Sequence, residues 1–168
     1  MVGQTDCKAG MLQAGQPAPG FDLPDADMQE VNLDDFRNRS NVVLYFYPKD
    51  DTPSCIMQAI EFTDMLDAYT ELDTVVLGVS MDDCVSHGSF RDKHGLAMQL
   101  LADVDGEVCG SYGVLQEKEH DGIRKTGIQR STFIIDKHGM LRHALYGVSP
   151  RGHAAEVLGH LRKLNKCK

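Results

Sequence analysis

Two apolar runs dominate the middle of the chain. NVVLYFYP (residues 41–48) is almost unbroken, and DTVVLGVS (residues 73–80) repeats its character. Both are short and rich in β-branched or aromatic residues, which predicts strands buried on both faces. Between them the period changes. Cys55, Ala59, Phe62, Leu66 and Tyr69 fall at spacings of 4, 3, 4 and 3, one stripe of a helix over residues 53–71. Thr52 and Pro53 mark its start, as N-cap and first helical residue. The Thr52 hydroxyl is expected to accept from the N2 or N3 amide. After the second run, Asp82 or Asp83 can cap a helix that reaches about Lys93.

The flanks are more varied. GQPAPGFDLPDAD (residues 15–27) reads as extended loop with short strands, and VNLDDF (31–36) as a short helix opening at Asp34. LLADVDGEVCGSYGV (100–114) predicts a short strand, a turn and a short helix, with Cys109 packed in its core. HDGIRKTGIQR (120–130) is polar and Gly-rich, a surface loop. RSTFIIDKHGMLRHALYGV (130–148) predicts two antiparallel strands joined at Asp136–Gly139. A last helix is expected from near Pro150 to about Leu164. Alternating strands and helices imply an α/β fold: a mainly parallel sheet, helices on both faces and an antiparallel edge. Residues 1–11 are expected to form a flexible arm and residues 12–168 one domain.

The totals narrow the classes of function. A chain of 168 residues suits a single core. With a net charge of −8 and no basic stripe, a nucleic-acid surface is not expected. The N-terminus lacks a signal-peptide core, and no apolar run approaches the roughly 20 residues of a membrane span. A cytoplasmic protein away from membranes is the expectation. The five cysteines are odd in number, widely spaced and without CxxC, which suits neither a disulfide framework nor a zinc site. No metal or organic cofactor is expected.

Cys55 is the candidate for chemistry. As the third helical residue it stands among first-turn amides that lack intrahelical partners and favour negative charge. A thiolate is stabilised there. The same cysteine also heads the core-facing stripe, where a thiol is commonly a small packed hydrophobe. Asp50 and Asp51 oppose a thiolate, so reactivity needs a cation. Lys49 is adjacent, and Arg130 heads an apolar strand near a sheet end, but nothing in the sequence brings either to Cys55.

The stretch FYPKDDTPSC carries Pro-x-x-x-Thr-x-x-Cys as Pro48, Thr52 and Cys55, and resembles the active-site signature of peroxiredoxins. GQPAPGFDLPDADMQEVNLDDFRNR, VVLGVS, HGSFRDKHGL, LLADVDGEVCGSYGV and RSTFIIDKHGML are similar to the branch of the bacterioferritin comigratory protein, or PrxQ. The resemblance runs from about Leu12 to Leu164. It implies a thioredoxin-like fold, with a central mixed sheet flanked by helices. It also implies a thiol-dependent peroxidase acting on hydrogen peroxide and organic hydroperoxides, with thioredoxin or another thiol as reductant. Cys55 would be the nucleophile, Thr52 and Arg130 its hydrogen-bonding and charge-stabilising partners, and Pro48 its shield. A monomer is expected. A peroxide sensor or relay that passes oxidation to a partner protein is the alternative. The branch's resolving cysteine is missing, because its two usual positions hold Ile60 and Arg91. Cys84 is then the internal candidate, with a half-exposed bystander as the equal alternative. It lies on the helical face of Arg91, in a first turn where a thiolate is also expected to be favoured. Gln58 stands where many peroxiredoxins have Glu, and an amide can fill part of that role. Cys7 and Cys167 fall in expected tails.

Overall fold

The computed structural model describes residues 11–166. Its central sheet has five strands: β3 (Asn41–Phe46), β4 (Thr74–Ser80), β5 (Gln99–Ala102), β8 (Ser131–Ile135) and β9 (Leu141–Tyr146). Their order is β5-β4-β3-β8-β9, with β3, β4 and β5 parallel and β8 and β9 antiparallel. The sheet is therefore mixed. All six residues of β3 are buried, as its unbroken apolar run requires. Alternate residues feed two cores. Val43, Tyr45, Val76, Leu100 and Ile134 face α1 (Pro53–Asp64), α2 (Leu66–Glu71), α3 (Cys84–His94) and α5 (His153–Lys166). Val42, Leu44, Phe46, Val79 and Phe133 face α4 (Glu107–Ser111) and the small hairpin of β1 (Asp22–Pro24) and β2 (Glu30–Asn32).

One pairing positions the site. β8 runs antiparallel to β3 with Phe46 opposite Ser131. The end of β3 and the start of β8 thus lie side by side, and Arg130 enters beside the loop that follows β3.

Several boundaries differ from the sequence expectation. The segment read as a surface loop is a hairpin of β6 (Leu115–His120) and β7 (Ile123–Ile128), separate from the main sheet. Asp121 and Gly122 turn it, with φ of 53° and 78°, the left-handed pair that a two-residue hairpin turn needs. The helix over 53–71 is broken at Met65, whose φ of −99° and ψ of 5° leave the helical region. The apolar stripe survives the break, since Tyr69 is still buried. The short helix expected to open at Asp34 is a single 3-10 turn over Leu33–Phe36, capped by Asn32. The last helix starts at His153 because Gly152 just before it has φ +75°. Cys7 and Cys167 and, apart from Met11, the expected arm lie outside the described residues. Leu12 is tied to the domain, its N–H donating to Tyr146 Oη at 2.8 Å.

Candidate active site

The sheet delivers the chain to the site as β3 ends. Tyr47 still donates its N–H to the Val79 carbonyl at 3.0 Å. Pro48 has no N–H to continue the ladder, and the chain leaves as an exposed loop. Asp51 takes a left-handed φ of 63° and turns the loop into α1.

Thr52 is the N-cap of α1 in extended geometry, and Pro53 is its first residue. The expected cap hydrogen bond is not made. The Thr52 hydroxyl instead donates back to the Lys49 carbonyl at 3.1 Å. The turn at Asp51 brings that carbonyl within reach, and among the described residues the Thr52 side chain leaves the first-turn amides of α1 uncapped. They remain free to face an anion.

Cys55 is 2 % exposed and lies on the buried stripe with Gln58, Ala59 and Phe62. The cation that a reactive Cys55 would need lies beside it. Arg130 directs Nη2 to Cys55 Sγ at 3.4 Å and Nη1 to Gln58 Oε1 at 2.6 Å. Among the described residues no carboxylate pairs with Arg130. Gln58 is fully buried and its Nε2 has no hydrogen-bond partner. The guanidinium thus spans a thiol and a neutral amide, and its charge stays uncompensated beside the sulfur.

The two aspartates that oppose a thiolate are engaged elsewhere. Asp50 is buried and accepts from Tyr47 Oη at 2.6 Å and the Ser86 hydroxyl at 2.8 Å, and it meets His87 Nδ1 at 2.7 Å. Asp51 pairs with Lys93 Nζ and His94 Nε2, each at 2.8 Å. The hydrogen bond from Lys93, followed by that from His94, holds the Asp51 carboxyl below its ordinary range. Both carboxylates thus dock on α3. The Tyr47–Asp50–His87 cluster escaped the sequence reading. Asp50 was legible only as a penalty on the thiol, and nothing in the spacing of seven histidines marks His87.

Cys84 differs from the expectation. It is half-buried in the first turn of α3, but its thiol is pushed up, by burial first and then by Asp25 and Asp83. The Asp83 side chain caps that helix by accepting from the Ser86 N–H at 2.8 Å. The first-turn thiolate is therefore disfavoured. Cys109 is buried as expected, and burial followed by Asp103 raises its thiol far above the usual range. Cys55, Cys84 and Cys109 are all free thiols. Among the described residues no cluster of three or more His, Cys, Asp or Glu could hold a metal ion. No described helix is long and apolar enough to cross a membrane.

A helix-borne thiol beneath a guanidinium, on a mixed five-stranded sheet, defines a thiol enzyme of thioredoxin-like fold. The AhpC/TSA family model matches residues 14–144. The peroxiredoxin Bcp of Bacillus subtilis is 38 % identical over 155 residues, covering 92 % of this chain and 98 % of that protein. The bacterioferritin comigratory protein of Xanthomonas campestris, solved in trapped intermediate and ligand complexes bearing on its alkyl peroxide reduction activity, superimposes with a TM-score of 0.84. It is 32 % identical, covering 89 % of this chain and 98 % of that one. A cysteine-to-serine variant of Xylella fastidiosa PrxQ gives a TM-score of 0.86 at 33 % identity, covering 92 % and 98 %. The chain belongs to the AhpC/TSA family, as a peroxiredoxin of the bacterioferritin comigratory protein (PrxQ) type.

Proposed function

We propose that Cys55 is the peroxidatic nucleophile of a thiol-dependent peroxidase that reduces hydrogen peroxide and organic hydroperoxides. The observation that carries this is the 3.4 Å contact from Arg130 Nη2 to Cys55 Sγ, made by a guanidinium with no carboxylate partner among the described residues. The Cys55 thiolate attacks one peroxide oxygen. The O–O bond breaks, sulfur gives up two electrons, and the second oxygen takes a proton and leaves as water or alcohol. Cys55 is left as sulfenic acid. Arg130 stabilises the thiolate and the charge that develops on the departing oxygen. The proton of Thr52 is committed to the Lys49 carbonyl, so its oxygen is free to accept from the hydroperoxide O–H and align the attack. The Pro48 ring screens the loop side of the sulfur and brings no competing donor.

Thioredoxin or another thiol closes the cycle, and the protein acts as a monomer in the cytoplasm. Cys84 is the internal candidate to resolve the sulfenic acid. Its nearby carboxylates slow it, so an external thiol competes. Replacing Cys55 by Ser abolishes peroxide consumption while the melting temperature holds. A variant that keeps near wild-type turnover removes Cys55 from the reaction. Non-reducing peptide mapping after one equivalent of peroxide reads the Cys84 role. A Cys55–Cys84 peptide lost in Cys84→Ser supports it, and sulfenic acid trapped equally by dimedone in both proteins excludes it.

A further inference from the structure

Beneath the loop that enters α1 lies a histidine that the peroxidase chemistry does not call on. His87 is fully buried. Its Nε2 faces the Leu101 carbonyl at 2.9 Å. A carbonyl only accepts, so Nε2 carries a proton. Its Nδ1 faces Asp50 Oδ2 at 2.7 Å, a separation at which an imidazole nitrogen and a carboxylate oxygen share one further proton. Wherever that proton resides, it belongs to the pair, and the pair as a whole is neutral. The other side chains that hydrogen-bond the pair are hydroxyls, and Tyr47 Oη also lies 3.4 Å from His87 Nδ1. Tyr47, at the end of β3, and Ser86, on α3, both donate to Asp50. Asp82, from the β4–α3 loop, is held by the Asp50 N–H at 2.8 Å and the Ser80 hydroxyl at 2.7 Å. Among the described residues no lysine or arginine reaches Asp50, so the proton that cancels its charge comes with His87.

Asp50 precedes Cys55 by five residues, in the loop that leads into α1. The two also share a neighbourhood: Tyr47, whose hydroxyl donates to Asp50 at 2.6 Å, packs in one core with Tyr45 and Cys55. The buried Tyr45 phenol is pushed up by burial first, then by Cys55 and by Asp50. An ionised Asp50 without a counter-charge would act on the sulfur in the same way.

We infer that His87 is a positioning residue for Cys55: it supplies the proton that neutralises Asp50, and it seats the 48–52 loop on α3 so that the carboxylate does not oppose the thiolate. This rests on the reading of Cys55 as the reacting thiol. A role confined to stability would not need an ionisable pair, since buried pairs are poor stabilisers compared with apolar residues of similar volume.

The test compares His87→Gln, Asp50→Asn and the double variant by the pH dependence of Cys55 alkylation with iodoacetamide. His87→Gln leaves a carboxylate without its proton, and the alkylation profile moves to higher pH by about one unit. Asp50→Asn and the double variant have no such charge, and their profiles do not move upward. If His87→Gln leaves the profile in place, or if Asp50→Asn moves it as far, the inference falls, because network damage alone treats both variants alike. Imidazole ¹⁵N shifts of the unmutated protein give a second reading that no folding defect can disturb. A His87 ring protonated only at Nδ1 overturns the proposal, and an Nε2–H ring sharing a second proton with Asp50 supports it. Failure of the catalytic reading shows elsewhere, as peroxide consumption that survives Cys55→Ser.

Discussion

Two helices of this molecule follow parallel strands and carry a cysteine in the first turn, yet they prepare that cysteine oppositely. At the start of α1 the cap hydroxyl turns away, the amides stay open, and Arg130 lies 3.4 Å from the sulfur. At the start of α3 the Asp83 side chain occupies the cap, and burial with Asp25 and Asp83 raises the Cys84 thiol. The dipole is common to both helix starts, so the charges around each helix make the difference. A first-turn cysteine is therefore not in itself a reactive one.

Removing the cation from the α1 end should erase most of the contrast. Arg130→Ala is expected to slow the reaction with peroxide by a factor on the order of 10²–10³, measured by stopped flow, with the melting temperature little changed. Arg130→Lys restores only part of the rate, because an ammonium cannot hold both Cys55 and Gln58 in one rigid fork. A smaller change makes the α1 end resemble α3. Gln58→Glu sets a carboxylate against Arg130, and Cys55 alkylation at neutral pH should slow by a factor of about three. The smallest change works from the other side. Asp83→Asn keeps the cap, since Asn serves that position as well as Asp, but removes one charge. Cys84 alkylation at mildly alkaline pH should then rise about twofold, while Cys55 alkylation stays as it was.

Much of this comparison was legible in the chain. The runs at 41–48 and 73–80 announce β3 and β4 because buried parallel strands need unbroken apolar stretches. The Thr52-Pro53 and Asp83 signals place both helix starts. What stayed hidden depends on contacts distant in sequence or on polar patterns with no apolar period. Arg130 reaches Cys55 across 75 residues, through the pairing of β8 with β3. Asp50 and Asp51 look like obstacles until α3 supplies Ser86, His87, Lys93 and His94. The β6–β7 hairpin buries little and lacks alternation along LQEKEH and IRKTGI, although its Asp-Gly turn was a readable sign. The Thr52 hydroxyl, expected to cap α1, turns to the Lys49 carbonyl instead, because a left-handed Asp51 is a property of the folded loop.

The antiparallel register of β3 with β8 also sets the order of events as the protein is made. Cys55 is synthesised well before Arg130, and the guanidinium reaches the thiol only when Ser131 pairs opposite Phe46. With Cys55 in its proposed role, a nascent or unfolded chain would carry an ordinary cysteine, slow toward peroxide. Closure of one non-local strand pair would then switch the thiol on, and the risk of oxidative damage before the fold is complete would stay low.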